Sequence, residues 1–580
     1  MNSLPTRNSQ HALRRADFRS VPEMLDYAAQ GQTGVTFYNV RGEILSALAW
    51  REVRERAQVT ARRLIGAGFA AGERILITAD TWPGFFDLFF GAQYAGLLPV
   101  PVSIPLGIGG KEAYLDQVRR QLAASGAVAA LGVDDLAGFL ADAAKQSPAV
   151  RLHGGMAAIE ALPEKSVDLR PLGPADLCYI QFSSGSTRHP HGVQITQHAL
   201  MANLAGMTGP AGLDVVVGDR AVSWLPLYHD MGLIGFLMAP LSSQLSIDYL
   251  TPRDFARRPA QWLNLISRNR GTIAYSPSFG YDLASRRAAN QLPAGLDLSS
   301  WRHAGIGGDM IRPDVLDRFA ETFKPVGFDR KAFIPSYGMA EVCLAITFCP
   351  HGTGVRTDVI DRATLADSQR AVPAADPQDE RRARRFVLCG KVLPGHRLEV
   401  RGADGKVLAD REVGRIFVAG PSIMPGYFGE PEATRDVLSD DGWLDTGDLG
   451  YRLAGEIVVT GRAKDLIIVN GRNVWPQDIE WAIEVRKVVK NGDSAAFSVD
   501  TADGERVVVA VLARVSGEEA RQALARDVAG AVREAVAVDC DVVLVPPTVG
   551  LPTTSSGKLS RARTKANYLD GLYAPKTEAA

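Results

Sequence analysis

Helix-period and strand-like apolar runs alternate from about residue 50 to residue 340, and this alternation restricts the chain to a layered α/β architecture. Trp50, Val53, Ala57, Ala61 and Leu64 recur at the spacing of one helix face. Gly66, Ala67 and Gly68 end that helix, and Arg74-Ile75-Leu76-Ile77-Thr78-Ala79 follows as a buried strand. Such pairs, repeated along the chain, predict partly parallel sheets. Phe85 to Val102 is the most apolar stretch, but Asp87, Gln93 and Pro99 interrupt it, so it reads as a helix and strand of the core rather than a membrane span. With 580 residues, 46% of them hydrophobic, the chain can bury a large core in two or more domains.

The pattern changes further along. Arg397 to Ile457 reads as short strands between Gly and Asp turns. After Lys464 a compact α/β unit is predicted: a helix from Pro476, strands near Ala495 to Val499 and Arg506 to Leu512, a helix opened by a capping box from Ser516 to Glu519, and a strand at Asp541 to Val545. The expected fold is α/β, a large layered N-terminal domain over 1–462 with a β-rich subdomain at about 390–460, and a small mobile α/β C-terminal domain over 463–580. Ala371 to Arg385, rich in Ala, Pro, Asp and Arg, reads as an exposed loop.

Charge narrows the partners. Lys plus Arg number 64 against 65 Asp plus Glu, a balance that argues against nucleic acid and against a basic membrane-binding face. Met1 to Ser20 carries four arginines and no apolar run, so no secretory signal is expected. Cys178, Cys343, Cys349, Cys389 and Cys540 show no metal-ligand spacing, as expected of reduced thiols in a cytoplasmic protein.

Two segments point to chemistry on ATP. Leu177 to Phe182 reads as a buried strand and Thr196 to Met207 as a helix with Thr196 as its N-cap. Between them, Ser183-Ser184-Gly185-Ser186-Thr187 can aim backbone N–H groups and hydroxyls at one anion. A Ser-rich surface turn is the simpler reading of such a loop taken alone. The Gly-Lys-Ser/Thr ending of a P-loop is missing, which excludes that NTPase class. Near the other end, Thr554-Ser555-Ser556-Gly557-Lys558 carries a lysine on a small-residue turn that can deliver a mobile positive charge.

Other segments fall in order between these two. They are Trp224 to Gly232 with Tyr228-His229-Asp230, Gly305-Ile306-Gly307-Gly308-Asp309, Ser336-Tyr337-Gly338-Met339-Ala340-Glu341, Gly442 to Gly450 with Asp448, and Gly461-Arg462-Ala463-Lys464 running on to Asn473. Together they resemble the core motifs of the adenylate-forming superfamily over nearly the whole chain. The variants are similar to those of fatty acyl-AMP ligases. His191 stands where acyl-CoA synthetases usually carry Lys before the final Gly-Val. The 342–389 segment has the length of the insertion associated in those ligases with loss of productive CoA use. The resemblance implies Lys464 as a hinge between half-reactions.

Roles follow from the chemistry of joining a carboxylate to the α-phosphate of ATP. Bringing two anions together calls for charge neutralisation and positioning. Lys558 is the expected bridging cation and Glu341 the Mg²⁺ ligand. Tyr337 offers a face to adenine, with Gly307, Gly308 and Asp309 opposite and Ser336, Gly338, Met339 and Ala340 alongside. Asp448 is expected on the ribose hydroxyls, Arg462 on ribose or phosphate, and His229 near the acyl carboxylate. Taken singly, each of these side chains could equally be a core or salt-bridge residue. Met231, Leu233, Ile234, Phe236, Leu237 and Phe279 are the expected tunnel lining. A buried methylene contributes about 0.8 kcal/mol, so a twelve-carbon tail offers roughly 8 to 9 kcal/mol before ordering costs.

The expected reaction is conversion of a fatty acid and ATP to acyl-adenylate and pyrophosphate, followed by transfer to the phosphopantetheine of a holo acyl carrier protein on a separate chain. A long-chain acyl-CoA synthetase and a non-catalytic acyl or nucleotide sensor are the alternatives. Retention of Glu341, Asp448, Arg462 and Lys558 together counts against the sensor.

Overall fold

The predicted alternation folds into sheets covered by helices. The structure, a computed structural model, describes residues 6, 11–104, 110–183, 190–288, 291–379, 381–469, 472–501, 504–554 and 559–573. Among them the largest sheet has nine strands, in the order Lys391–Val392, Ala345–Phe348, Phe333–Gly338, His303–Ile306, Ile273–Ser276, Arg220–Ser223, Ser246–Leu250, Gly34–Tyr38 and Ile44–Ala49. Its middle strands run parallel and antiparallel strands close both ends. Ile273–Ser276 and His303–Ile306 are buried along their whole length, as parallel strands covered on both faces must be. A second parallel sheet joins Leu98–Val102, Arg74–Thr78, Ala129–Leu131 and Leu152–Gly154.

The predicted helix face is the one that packs. Trp50, Val53, Ala57, Ala61 and Leu64 of helix Trp50–Gly66 are fully buried, against helix Pro83–Ala95. That second helix is itself buried nearly all round, which explains its span-like apolarity. Behind the main sheet, Trp262 meets Trp301 and Tyr281 meets Phe319 edge to face, at centroid separations of 5.1 and 4.9 Å. No described helix is long and apolar enough to cross a membrane.

The β-rich segment is a four-stranded antiparallel sheet of Arg397–Arg401, Gly414–Ala419, Leu444–Leu453 and Glu456–Arg462. A 3-10 turn, Ala463–Asp465, leads out of it. Beyond lie helices Pro476–Val485 and Glu518–Val536 and strands Ser494–Thr501, Gly504–Leu512 and Cys540–Val545, sharing an apolar cluster that includes Ile479, Ile483, Val509 and Val528. This unit leans on the rest of the chain through ion pairs. Buried Arg384 meets Asp478 at 2.8 Å, and Arg312 pairs with Glu484 and lies over the Trp481 ring.

Three local expectations need correction. Ala371 to Arg385 is not an exposed loop throughout: Ala371 is buried, and Ala383–Val387 is a strand paired with Thr357–Asp361 that tucks Arg384 inside. The Ser516 cap is not made, because Gly517 takes the N-cap position at φ +86° and no side chain caps the helix. Between Phe182 and the Thr196-capped helix the chain forms a further strand, Gly192–Thr196, antiparallel to Leu177–Phe182.

Candidate active site

The carboxyl ends of the parallel strands open onto one cleft, the usual place for a ligand in such sheets. Gly307 and Gly308 follow strand His303–Ile306, Ser336 to Gly338 end the neighbouring strand, and the 224–229 loop follows Arg220–Ser223. Gly308 has φ +76°, a left-handed turn at the cleft that glycine adopts without strain. At Gly338 a Cβ would stand 1.8 Å from the Leu344 carbonyl oxygen, so only glycine lets the two strands approach.

The cleft has two chambers that share Gly308, Ser336, Tyr337, Gly338 and Arg462. The first, about 610 Å³, is lined by Met207, Leu213, Phe236, Tyr275, Leu344 and Phe348 together with Ser183, His191, His229, Met339, Ala340 and Glu341. The second, about 370 Å³, is lined by Asp309, Asp448 and Val459 and by Trp481, Thr554, Leu559 and Arg561. Lys558, Ser184, Gly185, Ser186 and Thr187 lie outside the described residues. Thr554 and Leu559 flank the Lys558 segment and reach the same chamber as Tyr337 and Asp448.

The polar residues form linked pairs. The Tyr337 hydroxyl donates to Asp448 Oδ2 at 2.7 Å, and half-exposed Arg462 brings its Nε within 3.5 Å of Asp448 Oδ1. Burial raises the Asp448 carboxyl above its usual range, opposed by Arg462 and by the Tyr337 hydrogen bond. Burial likewise raises Glu341, which accepts from the Tyr427 hydroxyl at 3.0 Å. Among the described residues Glu341 has no ion pair, so a cation suits it. No group of three or more His, Cys, Asp or Glu side chains gathers for a metal among the described residues. A hard divalent ion at Glu341 would therefore draw its other ligands from phosphate oxygens and water.

His229 begins the Asp230–Leu233 helix, its Nδ1 accepting weakly from Met231 N at 3.4 Å and lying 2.7 Å from Asp230 Oδ1. Asp309 is exposed and caps Met310 N at 2.8 Å. Of the expected tunnel residues, Met231 and Phe236 line the first chamber. Leu233, Ile234 and Leu237 are packed in the core instead. Phe279 is 43% exposed and lines the second chamber rather than the first, with its ring edge against Trp224. Tyr427, Leu344 and Phe348 line the first chamber and were not anticipated as site residues. Tyr427 reaches it across 86 positions through its bond to Glu341, and no local motif marks it.

Past the second chamber, Arg561 binds Glu480 through Nε and Nη2 at 2.8 and 2.6 Å, and Asp465 at 3.2 Å. The segment after Lys558 is thereby fastened to the 3-10 turn at 463–465.

Comparison with known proteins fits this geometry. A family profile described as AMP-binding enzyme matches residues 26–428. A putative acyl-CoA synthetase of Caulobacter vibrioides is 47% identical over 97% of this chain and 98% of its own. A medium-chain-fatty-acid–[acyl-carrier-protein] ligase, JamA, of Moorena producens is 29% identical over 96% of both. A solved structure from work on fatty acyl-adenylate ligases of E. coli and L. pneumophila superposes with TM-score 0.91 at 42% identity, covering 97% of this chain and 100% of that one.

Proposed function

This chain belongs to the AMP-binding enzyme family, and on that premise we propose that it is a fatty acyl-AMP ligase. The observation carrying the reading is one cavity lined both by apolar Met207, Phe236, Leu344 and Phe348 and by Glu341, Tyr337 and Arg462. An acyl tail seated against those apolar side chains presents its carboxylate to a nucleotide lying along Gly308, Tyr337 and Asp448. The name of the solved structure at 42% identity and the ligase name of JamA support the same substrate class.

In this reading ATP is the nucleotide, and Glu341 would hold Mg²⁺, which would supply charge screening of the phosphates. Tyr337 stacks on adenine, and Asp448, aligned by the Tyr337 hydroxyl and Arg462, accepts from the ribose hydroxyls. His229 orients the carboxylate. Lys558 bridges carboxylate and α-phosphate while pyrophosphate leaves, and expulsion of water by the apolar walls strengthens every one of these charges. Residues 463–580 act as a lid turning about Lys464. The acyl group then passes to the phosphopantetheine thiol of a separate holo carrier, the acceptor named for JamA. Work in the cytoplasm is part of the same proposal.

The test is ATP–pyrophosphate exchange dependent on fatty acid, together with acyl transfer to holo-carrier and to CoA. Exchange with transfer to carrier alone is expected. Equal transfer to CoA makes the chain an acyl-CoA synthetase, as the name of the Caulobacter relative suggests. No exchange with any fatty acid removes the reading.

A further inference from the structure

Two residues beyond Glu341 the backbone makes a strained turn. Leu344 N donates to the Val342 carbonyl at 2.8 Å across Cys343, whose backbone stands at φ +62° and ψ −66°. These angles belong to the rarer, strained hand of the three-residue γ-turn, and a residue with a Cβ meets positive φ at a further cost. Glycine would take this conformation freely. With cysteine in its place, the surroundings must hold the turn.

Three wholly buried side chains do so. Cys343 Sγ donates to the Ser422 carbonyl at 3.5 Å. Asn203, on helix Gln197–Thr208, grips the residue just past the turn twice: its Nδ2 donates to the Ala345 carbonyl at 2.8 Å, and its Oδ1 accepts from Ala345 N at 3.1 Å. The same Nδ2 donates to Ser422 Oγ at 3.2 Å, and that hydroxyl lies against His396 Nε2. Ahead of the turn, Met424 N donates to the Glu341 carbonyl at 2.9 Å. The 422–424 segment and the helix thus fasten the chain on both sides of Cys343. The Glu341 carboxylate, which accepts from the Tyr427 hydroxyl, takes its direction from that fastened backbone. Carboxylates that hold a metal depend on the groups that orient them, and a fully bonded buried network is a rigid way to do it.

We propose that Asn203 and Ser422 are positioning residues for Glu341: by holding the Cys343 turn they aim its carboxylate at the cation that accompanies the nucleotide. This rests on the nucleotide reading above, with Glu341 as the cation's ligand, and not on the identity of the acid. Calorimetric titration of the full chain with α,β-methylene ATP in Mg²⁺, with the same analogue in EDTA, and with AMP tests it. The ratio of the two analogue affinities reports the cation alone. Asn203→Ala should cut that ratio about tenfold, the usual cost of losing a group that orients a metal-binding carboxylate, and leave AMP within about twofold. Adding Cys343→Gly should restore most of the ratio, because glycine keeps the turn without being held there. A merely structural asparagine would weaken all three titrations alike. An unchanged ratio in Asn203→Ala, an equal loss for AMP, or no recovery on adding Cys343→Gly overturns the assignment. Should Asn203→Ala fail to fold, Ser422→Ala carries the same comparison: one hydroxyl fewer should cut the ratio about threefold, and an unchanged ratio overturns the assignment. Glu341→Gln, run alongside, separates the two layers. Loss of the ratio there but not in Asn203→Ala removes the positioning alone, whereas an unchanged ratio in both removes Glu341 as the ligand and the positioning with it. Absence of fatty-acid-dependent exchange in the unaltered enzyme sinks the fatty-acid reading alone, because the calorimetry requires no acid.

Discussion

At the scale of single residues, burial decides which side chains carry unusual chemistry. His303 sits in the central sheet at 1% exposure, and burial, with the Arg302 guanidinium adding to it, drives its imidazole down to about 3 from 6.5. An unfolded chain therefore takes up a proton below 6.5 that the native state refuses until about 3. Stability from this residue is complete above 6.5 and is lost as pH falls toward 3, about 2 kcal/mol by pH 5. Urea denaturation at pH 7 and pH 5 should show that loss, and His303→Gln should flatten it; an equal acid slope in the variant would remove the histidine as its source. Residue-scale legibility was uneven for a related reason. Tyr337, Asp448 and Arg462 stand in local motifs, and the fold brings these three side chains together, whereas the Tyr427 contact with Glu341 spans 86 positions and has no local signal.

At the scale of elements, local signals held where the backbone alone settles them. Thr196 caps its helix as read, accepting from Ala199 N. Strand Gly192–Thr196 escaped notice because a five-residue run has little period of its own and gains its bonds from Leu177–Phe182. The Ser516 box failed because Gly517 turns the chain left-handed just before the helix, moving Ser516 out of reach. Strand Ala383–Val387 was hidden by its arginines, of which Arg384 turns inward between Phe386 and Trp475. Burial lowers that guanidinium to about 10 despite the Asp478 carboxylate. Asp478→Asn should leave the cation uncompensated and cost about 3 kcal/mol in chemical denaturation. A change below about 1 kcal/mol would mean that water reaches Arg384 and that the pair does not hold helix Pro476–Val485 in place.

At the scale of the whole molecule, the layered body and the distal unit were legible because their apolar periods differ, one alternating helix and strand and the other opening with short antiparallel pairs. What could not be read is how the two meet, since the Arg312–Glu484 and Arg384–Asp478 pairs join segments 172 and 94 positions apart. If the distal unit is a lid, Lys558→Ala should slow adenylate formation by about 10²- to 10³-fold, as loss of one preorganised charge does, while transfer from a supplied acyl-adenylate keeps its rate. Single-turnover measurement of each half-reaction checks this, and equal slowing of both would mean the lysine serves folding rather than chemistry.

The Arg561 clamp onto Asp465 and Glu480 adds a mechanical consequence. If Lys464 is the hinge proposed above, the tail's anchor grips the hinge itself, and turning it would sweep the anchored tail along. Arrival of charge at the nucleotide and departure from it would then be one stroke of a crank rather than two independent motions.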